Sequence, residues 1–169
     1  MNKRIITKIG DIFSVKIDEK KSKFFQLIAF DVTQLNSDVI RAFREEHAHD
    51  EKLNFDEVVQ GDVQFYAHCV TRAGVKFGFW EKVGKSKNIG ETGHIIFRDT
   101  EDYGTVRGEE PITVSNNWYV WHIGDDDFTD VGKLKGENRK AEIGLVFEPY
   151  SIVHRIKTGE YPWAYPDFE

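Results

Sequence analysis

Three short stretches hold the side chains that chemistry most often uses. His47-Ala48-His49-Asp50-Glu51 brings imidazoles and carboxylates together, the donor types that zinc and related ions take. The two histidines stand two apart, so a helix would turn them different ways. A strand or loop could chelate through both, but no third ligand is specified. The favoured reading is a solvated charged loop, and the sharper one is a metal-assisted enzyme using His47, His49 and Asp50. Asp125-Asp126-Asp127, with Asp130, is the second stretch. Alternating carboxylates can bind calcium, yet a calcium loop of the helix-loop-helix type needs glycine at its sixth position, where this chain has Asp130. It reads as an exposed acidic turn, with contact to a basic partner as the alternative. The third stretch is Tyr66, His68 and Cys69. A cysteine nucleophile needs a neighbouring base, but adjacent strand residues point to opposite faces, so His68 and Cys69 do not pair. Cys69 reads as a small core residue. Tyr66 and His68 share a face and could meet Trp80 or Lys82 across a hairpin, as a packed polar pair or as a recognition pocket.

No nucleophile elbow of the Gly-x-Ser-x-Gly type and no His-Glu-x-x-His helix occurs. Gly84–Gly93 resembles a phosphate loop only in its glycine count. His94, His122 and His154 are scattered and read as structural. The sequence therefore assigns no catalytic residue, no metal ligand and no cofactor.

These side chains must be positioned by a chain of 169 residues, 40% hydrophobic and 31% charged, which suits one soluble globular domain. The formal net charge of −6 argues against nucleic acid as a partner, because affinity for a duplex comes largely from neutralised phosphates. Lys82, Lys85 and Lys87 could form a local basic patch, but read better as a solvated loop. A basic partner is favoured. A single cysteine excludes an intrachain disulfide. Met1–Thr7 carries charge with no apolar run behind it, so it does not read as a signal peptide. No stretch approaches the ~20 apolar residues of a membrane helix. A cytoplasmic location is expected.

Aromatic residues reach 14%, a composition that favours strands. The clearest element is a hairpin over Gly10–Val32, with Phe13, Val15 and Ile17 on one face of its first strand and Phe24–Val32 as its second. Val39–Phe43 fits a strand slightly better than a helix capped at Asn36 or Ser37, and Arg44–Lys52 reads as a surface loop. Phe55–Gln60 suggests one helical turn stopped by Gly61. Asp62–Arg72 reads as a strand. Ala73-Gly74 then turns the chain into a further strand, Val75–Val83, in which Gly78 makes room for a ring on the facing strand. Gly84–Gly93 and Asp99–Glu110 are loops. His94–Arg98, Trp118–Ile123 and Ala141–Phe147 add strands, Trp118–Ile123 being bulky on both faces and so central. Pro149 opens a late helix over Tyr150–Thr158, which Gly159 ends. The tail, Glu160–Glu169, carries Tyr161, Trp163, Tyr165 and Phe168 and should pack onto the domain. The expected fold is mainly β or α+β: an antiparallel curved sheet or partly open barrel with a late C-terminal helix.

Several stretches resemble the bacterial immunity protein 26 family. They are Gly10–Val15, Phe24–Ile28, Gln34–Ile40, Phe65–His68, Gly78–Gly84, the strand around Trp118–Trp121, and Gly144–Gly159. The resemblance runs from about Lys8 to Pro166. It implies a cytoplasmic, non-enzymatic protein of a polymorphic toxin system, which binds a cognate toxin domain and blocks it. It carries over no active-site residue. On this reading the acidic stretches Glu45–Glu51 and Asp125–Asp130 steer toward a basic face, such as that of a nuclease. Exposed aromatics, with Tyr66, Trp80, Trp163 and Tyr165 as candidates and His68 beside Tyr66, anchor the contact. A small-ligand or nucleic-acid binding barrel, using the aromatic strands as a stacking platform, is the alternative.

Overall fold

A computed structural model describes residues 4–103 and 107–169. Met1–Lys3 of the amino-terminal stretch and Gly104–Val106 of the Asp99–Glu110 loop lie outside the described residues. The chain is mainly β, with two open and largely antiparallel sheets and a C-terminal helix.

The opening hairpin forms as its alternation predicts. Strand β1 (Asp11–Lys16) pairs antiparallel with β2 (Lys21–Asp31), Phe13 opposite Phe25. Asp18 shapes the turn by accepting hydrogen bonds from the Lys20 and Lys21 amides at 2.7 and 2.8 Å. Strand β3 (Ser37–Phe43) follows on β2, which decides the Val39–Phe43 ambiguity for strand. The short β4 (His47–Ala48) pairs with the start of β2, so the charged loop expected over Arg44–Lys52 holds a strand instead. Helix α1 (Phe55–Val58) is the single turn expected before Gly61, capped by the Asn54 side chain on the Asp56 amide. Strand β5 (Val63–Cys69) lies beside β3.

The chain then departs from the expected pattern. Thr71–Lys76 is a helix, α2, where a turn and a strand were expected, and the next strand, β6, spans only Glu81–Lys85. The reason lies in Gly78. Its φ of 76° closes α2 with a Schellman turn, in which Gly78 N–H donates to Val75 O and Phe79 N–H to Gly74 O. Gly78 meets no ring. It is Gly74 that makes room for one, because a Cβ there would overlap the Trp80 indole.

Strands β7 (Ile96–Thr100), β8 (Trp118–His122) and β9 (Thr129–Gly132) build most of the second sheet. Ala141–Phe147 alternates as one strand would but is split in two. Strand β10 (Glu142–Ile143) joins β7, and β11 (Val146–Phe147) joins β5, both parallel. Gly144 lies at this crossover, where a Cβ would overlap the Trp121 ring. Helix α3 (Pro149–Thr158) ends at Gly159 with φ 88°.

The larger sheet runs β11-β5-β3-β2-β1-β6, with β4 also on β2, and the smaller runs β10-β7-β8-β9. One face of the larger sheet packs Phe13, Phe25, Leu27 and Phe65 with Ile152 and Ile156 of α3. At its other face, Ile28 and Val39 meet Phe97 and Trp121 of the smaller sheet. The outer face of the smaller sheet, through Trp118 and Val120, is covered by Tyr165 and Phe168 of the tail. Strand β8 is thus central and buried on both sides, as its bulky faces predict. Among the described residues, no helix is long and apolar enough to cross a membrane.

Candidate partner-binding surface

The acidic stretch and His68 lie close together in the fold, and a residue not singled out by the sequence joins them. Asp31 ends β2 and is fully buried. One carboxylate oxygen, Oδ2, receives His68 Nε2 at 2.8 Å and Trp121 Nε1–H at 3.0 Å. The other, Oδ1, accepts from the Gly124 amide at 3.0 Å and the Thr33 amide at 3.1 Å. Burial alone would raise the pKa of this carboxyl. The hydrogen bonds from His68, Gly124 and Trp121 outweigh that and hold it down to about 2. A carboxylate ringed by donors makes Nε2 the protonated nitrogen of His68. Its Nδ1 then faces the interior with no hydrogen-bond partner among the described residues.

The same carboxylate pins the acidic turn above it. Gly124, at φ 79°, reverses the chain after β8. Asp125 accepts a hydrogen bond from the His122 amide at 2.8 Å, and its carbonyl receives the Thr33 hydroxyl. Asp127 accepts one from the Phe128 amide at 2.8 Å. Phe128 lies across Tyr119 and Trp121, with ring centroids 5.0 and 4.7 Å away. Asp126 and Asp130 are exposed, and neither carboxylate has a hydrogen bond or ion pair to another described residue. Asp130 lies on β9, the edge strand of the smaller sheet. The turn is therefore a hydrogen-bonded acidic rim beside the edge strand of the smaller sheet.

The other predicted residues lie apart from this rim. Trp80 is 2% exposed, donates to Thr71 O at 2.9 Å and meets Phe25 edge-on, so it offers no surface to a partner. The expected meeting of Tyr66 and His68 with Trp80 across a hairpin does not occur. Strand β5 lies between β3 and β11, and Trp80 belongs to the core on the opposite face of that sheet. Lys82 pairs instead with Asp11 at 2.8 Å. Tyr66 is half-buried at the seam between the sheets, with its hydroxyl 3.5 Å from His94 Nε2. His68 is fully buried and hydrogen-bonds to Asp31, which in turn holds the rim. In the tail, Tyr161 stacks on Phe147 at 3.9 Å and the Tyr165 hydroxyl donates to Asp99 at 2.6 Å, while Trp163 keeps 38% exposure.

Cys69 is fully buried in the main core, and burial together with the charge of Asp38 pushes its thiol well above the usual range. That environment suits packing rather than nucleophilic attack. His47 is buried edge-on to Phe24 in β4, which removes it from the solvated loop expected there. No group of three His, Cys, Asp or Glu side chains able to hold a metal ion is found among the described residues.

Sequence reasoning missed Asp31 because it reads as the polar end of an apolar strand. A signal was present: Asp two residues before Thr33 is the pattern of a side chain that turns back onto its own backbone. Compared with known proteins, the chain matches no family model, no curated protein and no solved structure.

Proposed function

We propose that this protein is a non-enzymatic immunity protein, which binds a cognate toxin domain through the Asp125–Asp130 rim and neutralises it in the cytoplasm of the producing bacterium. The observation that carries the reading is the rim itself. Its backbone is pinned from below by the buried Asp31, while the Asp126 and Asp130 carboxylates stay exposed at the edge of a sheet. A preorganised anionic surface steers a basic partner and loses little entropy on docking. The resemblance to the immunity protein 26 family points the same way, as does the net charge of −6.

Co-expression with the toxin domains encoded beside the gene tests the reading. One of them should be neutralised, with growth restored and a stable complex recovered. The triple substitution Asp126→Lys, Asp127→Lys and Asp130→Lys should slow association about tenfold or more at low salt, with a smaller effect at high salt. If no neighbouring toxin is neutralised, the immunity reading falls. If one is neutralised but association is indifferent to the three charges, the rim is not the interface.

A further inference from the structure

A second surface, distinct from the acidic rim and independent of the proposed function, lies at the end of the larger sheet. Two adjoining cavities, of about 560 and 800 Å³, share Arg4, Ile5, Val70 and Arg72 in their walls. Five large apolar side chains line them and remain open to solvent: Leu35 (85% exposed), Phe77 (67%), Ile6 (55%), Phe30 (42%) and Val70 (39%). Contiguous apolar exposure of this kind marks interaction sites on soluble proteins.

Leu35 is the most telling of the five. It has φ 58° and is followed by Asn36 at φ 52°, and the two close the connection from β2 to β3 after a 3-10 turn over Val32–Gln34. Asparagine tolerates this left-handed conformation, whereas in leucine the Cβ crowds the following carbonyl oxygen and disfavours it. Neither turn geometry nor packing calls for leucine at a position so exposed. Contact with an external apolar surface does.

The charges around the groove choose the partner. Arg4, Arg72 and Lys76 line it, and none of the three makes an ion pair with another described residue. Among the described residues, Asp38 is the only acidic one in the lining, and its carboxylate is engaged by the Thr71 amide at 2.8 Å and the Thr71 hydroxyl at 2.5 Å. The groove is therefore a cationic, apolar surface on an acidic protein. Its walls are concave and accept inserted side chains, which a bilayer surface does not supply. We propose that this groove docks an acidic amphipathic segment of a protein partner. Leu35 and Phe77 grip its apolar side chains, and Arg4, Arg72 and Lys76 meet its carboxylates.

Selection of a displayed library of random 16-residue peptides against the full chain tests this. Enriched peptides should combine Asp or Glu with Leu, Ile or Phe. Two single variants locate the contact: Leu35→Asn, which suits the turn and removes the anchor, and Arg72→Glu, which reverses an exposed charge. Each should weaken the selected peptides about tenfold or more, and Leu35→Asn should leave the melting temperature unchanged or raised. The proposal is overturned if no peptide is enriched, if the enriched peptides are basic or purely polar, or if they bind both variants as tightly as the parent. Sedimentation showing that the groove is filled by a second copy of the chain would overturn it as well, as would Leu35-dependent binding to phosphatidylglycerol vesicles without peptide binding.

Discussion

On one face of the larger sheet, Phe13 stacks on Phe25, Trp80 meets Phe25 edge-on, and Ile152 and Ile156 of α3 close the layer. On the other face, apolar contacts are interrupted by buried polar groups: Asp31 with His68 and Trp121, and Arg41 with Gln26. Arg41 donates through Nε to Gln26 at 3.0 Å and through its Nη2 to Asn88 O, while Gln26 donates to Ser86 O. Each network reaches a loop: Asp31 reaches the acidic turn, and Arg41 with Gln26 reaches Ser86–Asn88. The comparison teaches where each kind of force is used. Burial of apolar area is non-directional and holds layers together. Hydrogen bonds to a buried charge are directional and place loops, and they leave a large penalty when one partner is lost.

The largest expected effect comes from breaking the polar face. Asp31→Ala strands the His68 and Trp121 ring donors and the Gly124 and Thr33 amides, so it should cost about 3–5 kcal/mol in chemical denaturation. A loss below ~1 kcal/mol would show that the face is held by its apolar contacts alone. On the apolar face the corresponding test adds rather than removes atoms. Gly74→Ala drives a methyl group into the Trp80 indole and should cost ~1–3 kcal/mol of overpacking. Trp80 fluorescence should shift while the acidic turn keeps its amide chemical shifts.

Acid separates the two faces without mutation. The folded Asp31 carboxyl is depressed to about 2 from an ordinary 3.8, so the unfolded chain takes up its proton first as pH falls. The stabilisation from this group is complete above pH ~4 and is lost between pH ~4 and ~2, amounting to about 2 kcal/mol. Asp31→Asn should remove that part of the acid transition, and Gly74→Ala should leave it in place. The smallest effect on stability is expected at the surface. Asp126→Lys with Asp130→Lys should move unfolding by within about 0.5 kcal/mol, because neither carboxylate is paired in the fold. A larger loss would mean that the rim helps hold the sheet edge.

Much of this fold was legible because strand alternation and helix punctuation are local. Phe13, Val15 and the run from Phe24 place the opening hairpin, and Trp118–His122 declares itself central by having two bulky faces. Pro149 and Gly159 bracket α3. The failures have physical reasons. Thr71–Lys76 reads as a turn between strands because of Ala73-Gly74, yet it is helical because Gly78 closes a Schellman turn while Gly74 lies under Trp80. Ala141–Phe147 alternates correctly, but local pattern does not say that its two halves join different sheets. Of the site residues, the acidic turn was legible as an exposed, glycine-led run. The burial of His68 and Trp80 was not.

By itself, then, the sequence determined the strand-rich class, the late helix, the placement of Cys69 on a core face and the acidity of the Asp125–Asp130 turn, all of which follow from periodicity and composition over a few residues. Only the tertiary structure decided that Asp31 of β2, His68 of β5 and Trp121 of β8 converge under that turn, and that Leu35 stands exposed over a cationic groove. These depend on the register and stacking of two sheets. A buried carboxylate is satisfied by whichever donors the packing brings to it, however far apart they stand in the chain.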